Sequence, residues 1–364
     1  MELASTPKQD GFYLPAETHQ HQRILLAWPE RPDNWRLGGK PAQQAFATLV
    51  EALLEVVAVT VVTSAEQFQP ARRCLPKQAQ VLEMSFDDAW MRDIGPTALR
   101  NSAGEVRLVS WHFNAWGGLE DGLYFPWDKD DQVAQKVAEL TGLPYYQAPI
   151  VMEGGAFHCD GEGTLYTTEE CLLHPSRNPQ LSKAQIEACL QEYLGIERVI
   201  WLPQGLVNDE TNGHVDNLLH VMGPAKVALT WCDDPNDPQS AISQQAMAVL
   251  SQARDARGRA IEVIKLPLPG PLYLTEAEAA GIEPSQGMKR QAGERLGASY
   301  ANLLISNGCL FVPELDPATD DQAKAILQAA MPEYRLVGIP AREILLGGGN
   351  IHCITQPLLE TRSG

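Results

Sequence analysis

Basic residues are scarce in this 364-residue chain: 28 Lys and Arg stand against 46 Asp and Glu, a formal net charge of −18 at pH 7. With no basic cluster to neutralise phosphates, nucleic acid is excluded as a partner, and a cationic ligand is the better electrostatic match. An acidic surface also serves solubility alone, so charge by itself selects no function. No apolar run approaches the roughly 18 residues of a membrane helix. No basic stretch followed by an apolar one opens the chain either. The expectation is a cytoplasmic protein with no membrane partner. The seven cysteines (Cys74, Cys159, Cys171, Cys189, Cys232, Cys309, Cys353) are odd in number and form no Cys-x-x-Cys pair. Free thiols in a reducing compartment are therefore favoured over disulfides or a zinc site. Neither a Gly-x-Gly-x-x-Gly run nor a phosphate loop occurs, which removes the usual signature of a nucleotide on a doubly wound sheet.

What is present is enough for a large core. Hydrophobic residues make up 44% and charged ones 20% of the chain, which suits one big domain, taken here as residues 1–364. Amphipathic helical stretches alternate with short apolar strands about five times. One or two helices within 41–75 lead to strands Val56–Val62 and Val81–Met84. A helix near 130–141 leads to Tyr145–Ala148, and one near 182–194, capped by Ser182, leads to Val199–Leu202. Helices near 240–256 and 320–331 lead to Ile261–Leu266 and Arg335–Ile339.

Chemistry clusters just after these pairs. The segments are Asp87–Asp93, Met152–Gly155, Asn208–Asp216 and Gly347–Cys353. A ring of repeated units, each aiming such a segment at a common axis, accounts for that distribution in a single domain. The segment Pro267–Leu274 after the fourth pair carries no catalytic residue types and reads as a lid or an inert loop. In the last segment, Gly347-Gly348-Gly349 precedes a strand-like Asn350-Ile351-His352-Cys353, a bend beside a pocket with a nucleophile on it. Glu153-Gly154-Gly155-Ala156-Phe157-His158-Cys159 reads as a second copy of that pattern.

These motifs resemble those of the agmatine deiminases. The resemblance is carried by Trp90-Met91-Arg92-Asp93-Ile94-Gly95-Pro96, Gly213-His214-Val215-Asp216 and Gly347 through Cys353. Pro15-Ala16-Glu17, Trp28-Pro29, Asp33-Asn34-Trp35-Arg36 and Asp121 through Asp128 agree with it. It extends from about residue 10 past the Ile-His-Cys motif. It implies a five-bladed α/β-propeller, the pentein fold, with ββαβ repeats around a pseudo-fivefold axis. It also implies hydrolysis of agmatine, a small cationic guanidine, to N-carbamoylputrescine and ammonia, with no metal or organic cofactor. Oligomeric state is not legible, and a homo-oligomer is left open.

A guanidinium is planar, charged and weakly electrophilic, so carboxylates must grip its N–H groups while a soft nucleophile attacks the open face of the carbon. Asp93 and Asp216 are the expected clamp, Cys353 the nucleophile, His214 the acid and base, and Glu153 its partner. If His214 and Asp216 lie on a strand, their spacing points both the same way. Trp90, Glu210 and Trp116 are candidates for the far, amine end of the substrate. Cys159 reads as structural, His352 as core packing facing away from Cys353, and Arg92 as a salt-bridging scaffold residue. His158, His214, Asp216 and His352 match no compact metal spacing. An arginine or peptidylarginine deiminase, or an amidinotransferase, would use the same core residues with different walls. A non-catalytic, partner-binding pentein is the alternative outside enzyme chemistry.

Overall fold

The computed structural model describes residues 1–285, 287–288 and 290–361. Its strands form five sheets, each built on one three-strand unit. In the first unit His21–Ala27 lies between antiparallel Gln356–Leu359 and parallel Ala58–Thr63. In the second, Val106–His112 lies between antiparallel Thr97–Arg100 and parallel Tyr145–Val151. Thr164–Thr168 is likewise the middle strand between Phe157–Cys159 and Arg198–Leu202. Lys226–Trp231 sits between Leu219–Gly223 and Glu262–Pro267. The fifth unit places Cys309–Glu314 between Leu304–Ser306 and Arg335–Pro340.

The connections follow from strand direction. Antiparallel neighbours need only a tight turn, and Ser306 pairs with Cys309 across Asn307 and Gly308, both at positive φ, as a two-residue Asn-Gly hairpin requires. A parallel third strand needs a crossover, supplied by helices Lys40–Leu53, Val133–Thr141, Lys183–Leu194, Pro238–Gln252 and Asp320–Ala330. Lys40–Leu53 buries Ala42, Phe46, Leu49, Val50 and Leu53, the apolar stripe of a helix packed on a sheet. Ser182 caps its helix as expected, in a capping box with Gln185.

This is the ββαβ repeat expected from the sequence, and the helix and third-strand positions agree within a few residues. Chain order and unit order part at both ends: the late strand Gln356–Leu359 completes the first unit beside His21–Ala27, while Glu2–Leu3 adds to the second sheet beside Tyr145–Val151. In every unit the residues immediately before the first strand form a short turn: Met91–Ile94, Gly154–Ala156, Val215–Leu218, the 299–302 segment and Ile351–Ile354. These turns carry the site.

Candidate active site

The turns bring Asp93, Glu153, His214, Asp216 and Cys353 together, all buried. Gly155 lies at their centre. A Cβ placed there would sit 2.6 Å from His214 Nδ1, 2.9 Å from Asp216 Oδ2 and 3.0 Å from Asp93 Oδ1. Only a residue without a side chain lets these three groups close in on the backbone there.

Each side chain is fixed by named partners. Asp93 accepts from Gly155 N at 2.9 Å and from Trp116 Nε1 at 2.9 Å. His214 turns Nε2 to Glu153 Oε2 at 3.4 Å, and its Nδ1 lies 3.9 Å from Asp93 Oδ2 without a hydrogen-bond partner. Arg177, fully buried, donates Nε to Glu153 Oε1 at 2.9 Å. Asp216 Oδ2 faces His352 Nδ1 at 2.8 Å and Cys353 Sγ at 3.6 Å, while Oδ1 is unpartnered. Asn302 donates Nδ2 to Cys353 Sγ and to Asn217 Oδ1, both at 3.0 Å, and its Oδ1 accepts from His352 N and Cys353 N.

These neighbours set the charges. Burial, with Asp216 and Glu153 nearby, pushes Asp93 up to about 6 against the pull of His214. Burial also opposes ionisation of Asp216, but the His352 bond and charge outweigh it and hold this carboxyl below its usual value. For Glu153 burial is likewise overcome, by Arg177 and His214. Burial disfavours the His214 imidazolium, yet Asp93, Cys171 and Glu153 lift its pKa well above the ordinary value. Burial, then Asp216 and Asp93, raise the Cys353 thiol well above its usual range.

Beside Cys353 a cleft of about 330 Å³, counted to its mouth, is lined by Trp90, Trp116, Leu123, Glu210, Met288 and the glycines Gly347–Gly349. Walls this close, with two indoles and Met288 around Cys353, favour a small molecule over a peptide. Asp88 anchors one wall, accepting from Trp35 Nε1, Trp90 Nε1 and Asn34 Nδ2. The indoles of Trp35 and Trp90 stack at 5.1 Å. At the mouth both Glu210 oxygens face Arg290, at 2.6 and 2.8 Å, and Arg290 also donates to Asn34 and to Gly347 O.

Several expectations are corrected. Asn350 caps a short helix, Ile351–Ile354, where a strand was expected, and Val215–Leu218 is also helical, with His214 before it. His214 and Asp216 therefore converge through a turn, not through strand alternation. The two glycine-cysteine motifs are not equivalent. Cys353 lies in the turn before a strand, whereas Cys159 ends the strand Phe157–Cys159 and contacts Pro15 O. The counterpart of the Cys353 turn is Gly154–Ala156. Trp116 lines the cleft, but its indole N–H holds Asp93. The wall after the fourth unit comes from Met288, not from Pro267–Leu274. Arg92 pairs with Glu17 as a scaffold residue, and His352 faces Asp216 and Glu17.

Asn302, Arg177, Gly155 and Asp88 were not singled out from sequence. A signal for Asn302 exists: Asn-Leu-Leu occurs at 217–219 and again at 302–304, each opening a strand, and the two asparagines bond to each other. The buried trio Glu153, Cys171 and His214 brings ligand-type atoms within 4.8 Å of one another. Arg177 already supplies a cation to Glu153, and the imidazole is itself held charged, which makes this a proton site and a poor metal cage. No helix among the described residues is long and apolar enough to cross a membrane.

Known proteins match this chain along nearly its whole length. The Porphyromonas-type peptidyl-arginine deiminase family matches residues 13–358. A Vibrio parahaemolyticus protein named provisionally as an agmatine deiminase is 60% identical over 358 residues, 98% of this chain and 99% of that one. The agmatine deiminase of Pseudomonas fluorescens is 54% identical over 357 residues, 97% of each chain. The solved agmatine deiminase of Enterococcus faecalis superposes with a TM-score of 0.96 at 45% identity, covering 99% of both chains. Its matched length, repeat and shared structure leave one conclusion: the chain belongs to the Porphyromonas-type peptidyl-arginine deiminase family, among its agmatine deiminases.

Proposed function

We propose that the protein hydrolyses agmatine to N-carbamoylputrescine and ammonia by covalent catalysis at Cys353. The observation that carries the reading is the pair Asp93 and Asp216 around Gly155, with Cys353 Sγ 3.6 Å from Asp216 and His214 Nδ1 3.9 Å from Asp93. Two carboxylates set about one plane hold the guanidinium by its N–H groups and leave its carbon open to sulfur.

Substrate supplies the missing charge. The raised thiol rests protonated, and a guanidinium between Asp93 and Asp216 offsets the two carboxylates that disfavour thiolate. The thiol proton passes to solvent as substrate binds, the thiolate adds to the guanidinium carbon, and the His214 imidazolium gives its proton to a departing nitrogen, which leaves as ammonia. An S-alkyl-amidino cysteine remains. Neutral His214 then takes a proton from water, whose oxygen adds to the same carbon, and the C–S bond breaks to return the thiol and release the urea product. Glu153, pinned by Arg177, holds the imidazole through Nε2 so that Nδ1 faces the reacting group. Asn302 stabilises the sulfur anion.

The names of the relatives and the shape of the cleft together favour agmatine over arginine. Trp90, Leu123 and Met288 suit a polymethylene chain, and Glu210 lines the mouth with both oxygens on Arg290. Gripped in that way, Arg290 offers little to a free carboxylate. The test is ammonia release from agmatine, free arginine and a blocked arginine peptide. Turnover of agmatine alone supports the reading, and a preference for either other substrate moves the assignment within the family chemistry. No turnover of any guanidine by folded protein would sink it in favour of a partner-binding role.

A further inference from the structure

His352 lies next to the nucleophile in sequence but does not reach the cleft. Its Nδ1 faces Asp216 Oδ2 at 2.8 Å and its Nε2 faces Glu17 Oε2 at 2.8 Å, so the ring is strung between the buried Asp216 and the partly buried Glu17. Arg92 completes the arrangement. It donates Nε to the His352 carbonyl at 3.1 Å and Nη2 to Glu17 at 3.3 Å. Two more imidazoles pack on the ring, His158 at 4.8 Å and His220 at 5.5 Å between centroids. His220 also faces Glu17, at 3.4 Å. Glu17, Arg92, His158 and His352 line a second cavity that shares none of the residues of the substrate cleft.

The consequence falls on Asp216. With Oδ2 held by His352, the carboxylate plane is fixed and Oδ1, unpartnered and buried, is left for a ligand. Asp93 accepts from the Trp116 and Gly155 N–H groups, and the nearby His214 Nδ1 stands 3.9 Å from it without a hydrogen bond. The two carboxylates of the clamp are therefore held differently, one by a hydrogen-bonded imidazole and one by neutral donors with a more distant charge. We infer that His352, itself anchored by Glu17, is a positioning residue that keeps Asp216 ionised and aims its free oxygen at the substrate guanidinium. Glu17 acts through His352 and touches no substrate.

Charge bookkeeping agrees with the geometry. Burial and Arg92 oppose the His352 imidazolium, but Glu17 and Asp216 outweigh them and its pKa is raised. Neutral glutamine at 352 would leave Asp216, buried beside Asp93, with only the charges of His214 and Arg92 and no bonded cation, and one of two adjacent carboxyls would then hold its proton to higher pH.

The inference rests on Asp216 gripping the guanidinium, and wild-type turnover in the same assay separates failure of that reading from failure of this one. The experiment measures kcat and KM for agmatine against pH for His352→Gln, Glu17→Gln and the double variant, with folding checked by circular dichroism and Tm. His352→Gln should raise KM by about tenfold or more and move the acid limb of kcat/KM upward by about one pH unit. Glu17→Gln should shift both the same way by less, and the double variant should match His352→Gln alone, since Glu17 acts on the clamp through His352. An acid limb that stays at its wild-type position in folded His352→Gln overturns the inference, as does a double variant in which the two losses multiply. If His352→Gln does not fold, Glu17→Gln alone decides, by whether its acid limb moves.

Discussion

Asp93 and Asp216 are the same side chain set to opposite tendencies by their neighbours. Asp93, buried beside other acids, is pushed up to about 6, while His352 holds Asp216 low. The ionised Asp93 that grips a cation is lost as pH falls through about 6, so kcat/KM for agmatine should fall on the acid side there. The basic limb should lie well above the ordinary histidine range, because His214 must hold its proton to release ammonia. A pH–rate profile checks both limbs. The sign for stability is the reverse: an acid raised in the folded state contributes stability below its unfolded pKa, and loses that contribution as pH rises through about 6. Asn302 gives a second test at this scale. Among the described residues its amide is the one side-chain donor to the sulfur, so Asn302→Ala should lower kcat by about 10- to 100-fold, with KM changed far less, in steady-state assays. The five charged or nucleophilic residues were legible because guanidine chemistry demands those types. Asn302 and Arg177 were not, since a neutral amide and a loop arginine carry no such demand, and a long insertion separates Asn302 from the strand pair it follows.

At the level of elements, the site depends on short turns that have the sequence look of strands. Ile351-His352-Cys353-Ile354 is apolar and partly β-branched, yet Asn350 caps it into a helical turn because its side-chain oxygen takes the Ile351 N–H. Local composition cannot reveal that, since burial and the Asn302 carbonyl on His352 N and Cys353 N are tertiary contacts. The glycines are another matter, legible as close approaches though not as to what approaches them. A Cβ at Gly349 would lie 2.5 Å from the Trp90 ring, and one at Gly155 would enter the space between His214, Asp216 and Asp93. Gly155 does not have a positive φ, so alanine there strains no backbone, and its methyl group acts by pressing on His214, Asp216 and Asp93. Gly155→Ala should therefore raise KM for agmatine by on the order of 10- to 100-fold, with Tm within a few degrees of wild type.

Across the whole molecule the repeat was readable as helix followed by third strand, because those carry the strongest periodicity. The hairpins that begin each unit were not resolved, being short and buried on both faces, and neither was the return of the C-terminus to the first sheet. That return places Leu358 and Leu359, both buried, beside His21–Ala27. It also ties the Cys353 turn to the ring from both sides. Ending the chain after Thr355 should remove about 4 kcal/mol or more through those two leucines, and should abolish a cooperative melting transition or lower Tm by about 5 °C or more in calorimetry.

The most direct measurement of the account is to quench the protein in acid during turnover of excess agmatine and map any covalent adduct by peptide mass spectrometry. The account predicts an adduct with the mass of agmatine less ammonia on the peptide bearing Cys353, present in Cys159→Ala and absent in Cys353→Ala, which should also lose activity by on the order of 10⁴-fold or more. Steady ammonia release with the adduct on Cys159 or Cys171, or undiminished release by Cys353→Ala, would contradict it.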